Sequence, residues 1–119
     1  MLADTDMDIG KALEYAERAY NAASNNPSVL DTYGYVLLKN NKAEQADEFL
    51  QRALQQYEQN RMNAPIEIYE HIGWAKEKLG QDAEALQAYK RAKEFAGEDV
   101  SQEVKSRISA EIERISSKQ

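Results

Sequence analysis

An internal repeat constrains the fold of this chain more than any other feature of its sequence. The pairs Gly34-Tyr35 and Gly73-Trp74 interrupt two stretches that otherwise have the composition of helices. Glycine in a helix interior costs about 1 kcal/mol relative to alanine, so its recurrence beside an aromatic residue needs a structural reason. Each pair is followed at fixed distances by a small, a bulky and a second small residue. These are Ala46, Leu50 and Ala53 in the first copy, and Ala85, Tyr89 and Ala92 in the second.

A third, partial copy of the pattern lies near the start of the chain. Ala12, Ala16 and Ala19 reproduce its second half, and the spacing is 34 residues from Ala19 to Ala53 and 39 from Ala53 to Ala92. Periods of this length are typical of repeat proteins, in which each unit is a small helical element that buries its apolar face against its neighbours. The sequence therefore predicts an all-α repeat protein.

The pattern resembles that of the tetratricopeptide repeat (TPR), which pairs a bulky residue, Leu-Gly and an aromatic residue on a first helix with Ala, a bulky residue and Ala on a second. The resemblance covers roughly residues 8 to 96 and implies a right-handed α-solenoid of about 2.5 helix-turn-helix repeats with a C-terminal capping helix. The matching residues are Leu30, Tyr33, Gly34, Leu37, Ala46, Leu50 and Ala53, and then Tyr69, Ile72, Gly73, Ala85, Tyr89 and Ala92.

The sequence departs from the family pattern at several positions. Lys76 replaces a large aromatic residue, so we expect its aliphatic stem to cover the contact there. Ser24, Glu58 and Gly97 replace the proline that ends each repeat. Five extra residues separate the second and third repeats. Because Tyr57 continues the apolar stripe of the preceding helix, we expect the insertion to add a turn to that helix and to lengthen the loop.

The periodicity predicts six helices, near residues 9–23, 28–40, 43–60, 66–79, 82–96 and 100–116. Pro27 and Pro65 lie where helices can begin, because proline lacks an N–H that would be unpaired at that position anyway. Asn40-Asn41 and Gly80 predict tight turns with a left-handed backbone. Asp82 is expected to cap the helix that follows.

The small residues are expected to be the packing residues of the repeats. Gly73 is predicted to lie where the two helices of a pair approach closely, so that a side chain would push them apart. Ala85 is small for the same reason. The predicted repeat-packing residues are Gly34, Ala46, Ala53, Gly73, Ala85 and Ala92.

The chain length predicts a single domain that spans residues 1–119. Its predicted segments are 8–26, the second helix of a truncated first repeat; 27–60 and 65–97, two full repeats; and 99–117, a capping helix. Because the first repeat lacks its first helix, we expect this chain to be an excised piece of a longer bacterial TPR protein, with apolar surface exposed on its first helix.

The last segment has one apolar face. Val100, Val104, Ile108, Ile112 and Ile115 recur at three- and four-residue spacing, and the other faces are charged. This pattern favours a helix that caps the repeat stack with a polar outer surface. A dimerisation helix is the alternative, and a weak homodimer could form through this helix or through the N-terminal face.

Composition excludes several classes of function. The net charge of −6 argues against non-specific nucleic-acid binding, and no apolar run reaches the roughly 20 residues of a membrane span. Without cysteine there is no disulfide, thiolate zinc site or thiol nucleophile. We expect a soluble chain with no cofactor, no metal and no membrane insertion, whose partner is a protein or peptide of neutral-to-basic character.

No motif in the sequence indicates catalysis. His71 is the only histidine, and there is no nucleophile elbow, phosphate-binding loop or dinucleotide fingerprint around which an active site could form. The alternating aspartates of residues 4–8 are similar to a calcium loop, but Ile9 and Tyr15 occupy the positions that require Gly and a bidentate Glu. The sequence therefore predicts a protein that is not an enzyme and has no catalytic residues.

The resemblance implies that the first helix of each repeat lines a concave groove that accepts peptides or partner helices. Helical periodicity places Tyr35 and Trp74 on equivalent faces of two such helices, and the predicted groove is acidic. The candidate partner-binding residues are Asp31, Tyr35, Leu38 and Lys39 on one helix, and Glu67, Glu70, His71, Trp74, Glu77 and Lys78 on the other.

Two interpretations of the aromatic residues stay open. Tyr35 and Trp74 are either half-buried packing residues or the floor of a binding groove. Asp31 and Glu70 occupy positions where carboxylate-binding TPR proteins use Lys or Asn, so a carboxylate clamp is disfavoured. The predicted function is a scaffold or adaptor that binds a peptide or partner helix. The alternative is a structural spacer or self-association element with no peptide ligand.

Overall fold

The computed structural model describes residues 6–118, with side chains from Ile9 onward. Six α-helices and no strand occur in this range, and each helix begins and ends within three residues of its predicted bounds. The prediction of six helices is confirmed. The helices are α1 (Asp6–Ala22), α2 (Pro27–Lys39), α3 (Ala43–Gln59), α4 (Ile66–Lys78), α5 (Asp82–Phe95) and α6 (Gln102–Ser116).

The helices form two compact units. The first unit ends at Ala64 and the second begins at Pro65. In the first unit α1 packs against α2, and α2 against α3; in the second, α4 packs against α5, and α5 against α6. Each unit therefore contains one tightly connected helix pair and one additional helix.

The two glycines of the repeat lie at the closest approach of these helix pairs. A Cβ atom added to Gly34 would lie 2.6 Å from Leu50 Cγ, and one added to Gly73 would lie 2.8 Å from Tyr89 Cζ. Both distances are well inside van der Waals contact. Glycine is therefore the residue that lets α2 pack on α3 and α4 pack on α5, and this contact offsets its cost in helix propensity.

Three of the helices are followed by a residue with a left-handed backbone conformation, that is, with a positive φ angle. Asn41 (φ 61°) and Gly80 (φ 76°) have the backbone predicted for the two tight turns, whereas Asn40 does not. Arg61 also adopts this conformation (φ 56°) after α3, and Met62 N donates to a carbonyl in the last turn of that helix. The sequence did not indicate the turn at Arg61, because arginine rarely adopts a positive φ.

The prediction for Asp82 is wrong by one residue. Gln81 is the N-cap of α5 and makes no side-chain capping hydrogen bond, and Asp82 is the first residue of the helix. Only Gln81 lies between the left-handed residue Gly80 and the first residue of α5, so Gln81 occupies the N-cap position. Asn26 and Ser101 are the side chains that do cap helices, α2 and α6 respectively.

The insertion lengthens α3, as predicted. This helix has 17 residues, compared with 14 in α5, and Tyr57 in its last turns is buried. Lys76 packs its stem as expected. Its side chain is only 17% exposed, and its ammonium group lies 3.2 Å from Glu84 Oε2.

Candidate partner-binding surface

The acidic face of α4 is paired with basic residues of α6. Arg107 donates from Nε and Nη2 to the two carboxylate oxygens of Glu70, at 3.0 and 2.8 Å. Arg114 pairs in the same bidentate way with Glu77, with 2.7 Å from Nη2 to Oε1. Charge-assisted bidentate pairs of this kind fix geometry as well as supply energy. Two carboxylates that the sequence analysis assigned to a groove thus lie under a neighbouring helix.

Helical spacing explains why both pairs form. Glu70 and Glu77 are seven residues apart, and so are Arg107 and Arg114. Seven residues correspond to about two helical turns, so each set projects from one side of its helix. The order of the pairs shows that α4 and α6 run in the same direction. We name these two pairs, Glu70–Arg107 and Glu77–Arg114, the ion-pair ladder.

The Glu77–Arg114 pair shifts the pKa values of its two members. The hydrogen bond from Arg114 lowers the pKa of Glu77 below its usual value of 4.5, against the opposing effect of burial. The same hydrogen bond, followed by one to Glu111, raises the pKa of Arg114. Burial, followed by the charge of Glu111, raises the pKa of Tyr89 beneath the ladder. Glu77 and Arg114 are therefore both charged at neutral pH.

An open depression of about 360 Å³ lies beside the Glu77–Arg114 pair. Trp74 lies in its wall, half-buried, and the ammonium group of Lys78 is 5.6 Å from the centre of the indole ring. This distance is within the range of a cation–π contact. The residues that line this Trp74 depression are Trp74, Glu77, Lys78, Glu111, Arg114 and Lys118.

Three lining residues come from α6 and the turn after it, and sequence reasoning did not assign them to the site. These are Glu111, Arg114 and Lys118. Lys118 Nζ lies 3.7 Å from Glu77 Oε2 and 3.4 Å from Asp82 Oδ2. The matching seven-residue spacing of the glutamates and arginines is the signal that could have revealed the contact between α4 and α6.

In the first unit, α2 carries a related arrangement. Tyr35 is 36% exposed, and Lys39 Nζ lies 5.8 Å from the centre of its ring. The aromatic residue and the lysine are four residues apart, as Trp74 and Lys78 are in α4. Leu38 was predicted to contact a partner, but its side chain has no exposed surface and cannot be reached in this structure.

The remaining candidate residues differ in exposure. Glu67 is exposed, and its charge contributes to the raised pKa of Arg107, after the hydrogen bond from Arg107 to Glu70. Asp31 and His71 are half-buried. Whether Tyr35 and Trp74 contact a ligand stays a prediction.

The described residues were also compared with the requirements of a metal site and of a membrane-spanning helix. Among the described side chains, those of residues 9–118, no cluster of histidine, aspartate or glutamate is arranged to hold a metal ion. The aspartates of the calcium-like alternation, at residues 4–8, have side chains outside this described set. None of the helices within residues 6–118 is long and apolar enough to cross a membrane.

Comparison with known families identifies the repeat. The family model described as tetratricopeptide repeat matches residues 27–60 and 66–99, which together make up more than half of the chain. A search of curated proteins finds no match. The family is in general a non-catalytic protein-interaction fold, and its helix pairs agree with the observed pairing of α2 with α3 and α4 with α5. The chain therefore belongs to the tetratricopeptide repeat family, and its fold class is that of an all-α helical-repeat protein.

Proposed function

We propose that this chain is a non-catalytic scaffold that binds a peptide or a partner helix on the face of α4 that carries Trp74, and that the face of α2 that carries Tyr35 is a separate surface of the same kind. The observation that carries the proposal is the Trp74 depression. Trp74 offers a large aromatic contact area at this open surface, and tryptophan is enriched among the residues that dominate binding energies at interfaces. Membership of an interaction family supports the same conclusion.

The repeated aromatic–lysine pairs support the inclusion of α2. Tyr35 with Lys39, and Trp74 with Lys78, have the same four-residue spacing and similar distances from ammonium to ring, 5.8 and 5.6 Å. Tyrosine and tryptophan supply large contact areas at a low entropic cost, which is why they dominate binding energies at interfaces. Each unit thus offers an aromatic anchor on its own surface.

The neutral-to-basic partner expected from the sequence followed from the net charge of −6 and from the predicted acidic groove. On α4, Glu70 and Glu77 are bound to arginines of α6. A basic ligand would have to displace these intramolecular partners. The acidity of α4 is thus no longer a reason to expect a basic partner.

The test is a peptide selection followed by alanine substitution. A random peptide library is selected against the full chain, and the dissociation constant of the best peptide is measured for Trp74→Ala and Tyr35→Ala. Loss of an aromatic anchor is expected to weaken binding about tenfold or more. Met62→Ala, which removes an exposed apolar side chain in the loop after α3, is the matched control and should leave binding unchanged.

Circular dichroism establishes that each variant keeps its helical content. If Trp74→Ala and Tyr35→Ala both fold and bind the selected peptide as tightly as the original chain does, the proposal is wrong.

We also propose that α6 caps the repeats, with the segments 27–60 and 65–97 as the two full repeats. Ile108 and Ile115 are fully buried, whereas Ser106, Ala110 and Glu113 are exposed. A helix with an apolar inner side and a polar outer side ends a repeat array without leaving its core open to water.

Self-association through α1 is a second candidate function, favoured by the exposure of one residue. Ala19 is exposed, whereas Ala53 and Ala92, at the matching position of the repeat, are fully buried. The nearby ring of Tyr15 is 64% exposed. Sedimentation velocity over a range of concentrations tests this candidate: a chain that stays monomeric throughout rules it out, and association that Tyr15→Glu abolishes supports it.

A further inference from the structure

We propose that the exposed side of α5 near its C-terminal end is a second protein-interaction surface. The partner that fits it is an acidic segment in which a carboxylate lies close to an apolar or aromatic side chain. The surface is formed by Arg91 and Phe95, and we name these two residues the α5 patch. Neither residue lines the Trp74 depression, so the α5 patch is separate from the site of the proposed function.

Phe95 supplies an aromatic ring that is exposed and held in place. Its side chain is 53% exposed. The centre of the ring lies 5.4 Å from that of Tyr69 on α4, and the two ring planes are tilted by 37°. Aromatic rings at this distance attract each other. A side chain that is already fixed loses little conformational entropy when a partner covers it, so Phe95 is suited to anchor a ligand.

Arg91 lies one helical turn before Phe95 on α5. Residues four positions apart on a helix have Cβ atoms about 5–6 Å from each other. Arg91 is exposed, and its guanidinium group makes no hydrogen bond, ion pair or ring contact with any described residue. Glu94, the acidic residue three positions later, is exposed and does not pair with it. The donors of Arg91 are therefore available to a carboxylate.

The other pairs of an aromatic residue and a cation differ from the α5 patch. On α1, Arg18 lies 5.9 Å from the centre of the Tyr15 ring and is paired with Glu14 at 2.9 Å. On α2 and α4, the lysine ammonium groups lie over the aromatic rings. Arg91 has neither kind of contact, so a carboxylate that binds it displaces no described intramolecular partner.

The local charge favours an acidic partner. Although the whole chain has a net charge of −6, residues 90–95 carry three cations and one carboxylate, all exposed. A guanidinium group can bind a carboxylate through two parallel hydrogen bonds, and the ring of Phe95 offers apolar area nearby. A segment with a carboxylate next to an apolar side chain can use both groups at once. A basic segment would place like charges together, which is unfavourable.

The test measures the binding of three synthetic peptides to the full chain by fluorescence anisotropy. The peptides are blocked at both ends, carry a neutral dye and repeat the unit X-Phe-Gly four times, with X being Glu, Gln or Lys. At low salt the Glu peptide should bind about fivefold or more tightly than the Gln peptide, and the Lys peptide should bind most weakly. A Glu peptide that does not bind, or that binds no more tightly than the Gln peptide, overturns the inference.

Substitutions locate the bound Glu peptide on the chain. Arg91→Gln and Phe95→Ala should each weaken its binding about fivefold. Arg91→Lys keeps the charge but loses the planar pair of donors, so it should retain only part of the affinity. Lys42→Gln and Met62→Ala, which remove an exposed cation and an exposed apolar side chain of the first unit, are the matched controls and should have little effect.

Trp74→Ala separates the α5 patch from the Trp74 depression, and it should leave the affinity for the Glu peptide unchanged. If Trp74→Ala abolishes binding and Arg91→Gln does not, the peptide occupies the depression, so the α5 patch is wrong and the proposed function stands. If Arg91→Gln and Lys42→Gln have equal effects, the α5 patch does not select the carboxylate. Circular dichroism establishes that each variant keeps its helical content.

Discussion

The two units share a helix pair and differ in how a third helix is attached to it. The contacts Gly34–Leu50 and Gly73–Tyr89 are equivalent and join α2 to α3 and α4 to α5. In the first unit, α1 adds Tyr20, whose ring lies 5.3 Å from that of Tyr33 on α2. In the second unit, α6 is attached through buried isoleucines and the ion-pair ladder.

Aromatic packing extends across all three helices of the first unit. The rings of Tyr20, Tyr33 and Phe49 have centroids 4.6 to 5.3 Å apart, and the guanidinium group of Arg52 lies over two of them. Arg52 also donates a hydrogen bond of 3.1 Å to the hydroxyl group of Tyr20. In the second unit, the residues that match Tyr33 and Phe49 are aliphatic. The comparison teaches that the glycine contact recurs in both helix pairs, whereas the contacts that attach the third helix differ between the units.

The largest effect should come from Ile115→Ala in the second unit. Ile115 is fully buried against Ala85 and Tyr89, so the substitution leaves a cavity and is expected to lower the free energy of unfolding by about 2–4 kcal/mol. Urea denaturation followed by circular dichroism measures the change. Ala110→Ser, an exposed substitution on the same helix, should cost less than about 0.5 kcal/mol. A small loss for Ile115→Ala would show that α6 contributes little to the unit.

Substitution of the packing glycines should have the next largest effect. Gly73→Ala places a Cβ atom against the rigid ring of Tyr89, so the free energy of unfolding should fall by about 1–3 kcal/mol despite the gain in helix propensity. Gly34→Ala should be destabilising as well, because its Cβ would lie 2.6 Å from Cγ of the fully buried Leu50 and 3.3 Å from the carbonyl oxygen of Ala46. Gly10→Ala on α1 is the control: nothing lies within 4 Å of its added Cβ, so the helix should gain about 0.5–1 kcal/mol. A stabilising Gly73→Ala would contradict the close helix contact.

The ion-pair ladder should make the second unit sensitive to acid. The pKa of Glu77 is lowered in the folded state, so its contribution to stability is present above the usual value of 4.5 and is lost as the pH falls through the lowered pKa. Glu77→Gln should therefore destabilise the chain at pH 7 and have little effect near pH 2. Urea denaturation at both pH values measures this, with the exposed Glu113→Gln as the control. Equal losses at the two pH values would exclude the ladder as their cause.

The smallest effect should be that of Arg52→Ala in the first unit. It removes one hydrogen bond and two cation–π contacts at a half-buried site, so we expect a loss of about 1 kcal/mol in the free energy of unfolding. Because aromatic contacts are less sensitive to salt than exposed ion pairs, the loss should change little in 0.5 M NaCl. If salt removed the effect of Arg52→Ala as readily as that of Glu77→Gln, the contrast between the two units would fail.

Local pattern was sufficient to predict the helices and two of the left-handed turns. Apolar periodicity depends only on residues that are close in the sequence. The same is true of the preference of Asn41 and Gly80 for a left-handed backbone conformation, so both features can be recognised in short stretches of sequence. The turn at Arg61 was missed because no local preference marks it. The cap of α5 was assigned to Asp82 instead of Gln81, since helix boundaries are set by the turn before them and composition alone does not fix them.

The candidate site was harder to predict than the fold. Trp74 was identified from the repeat, but its charged neighbours Arg114 and Lys118 come from α6 and the turn after it, about 40 residues later. Helical periodicity shows which residues share a face and does not show which helix covers that face. The charge of the α4 surface was therefore interpreted as acidic, although the ladder compensates for it.

Quenching of Trp74 fluorescence tests most directly whether the Trp74 depression is the partner-binding site. Acrylamide quenching is measured for the full chain alone and when saturated with the peptide selected from the library. If the peptide occupies the depression, it should shield the indole and reduce the quenching constant about twofold or more, as complete burial at an interface core does. An unchanged quenching constant at saturation would contradict the assignment, because the partner would then bind elsewhere.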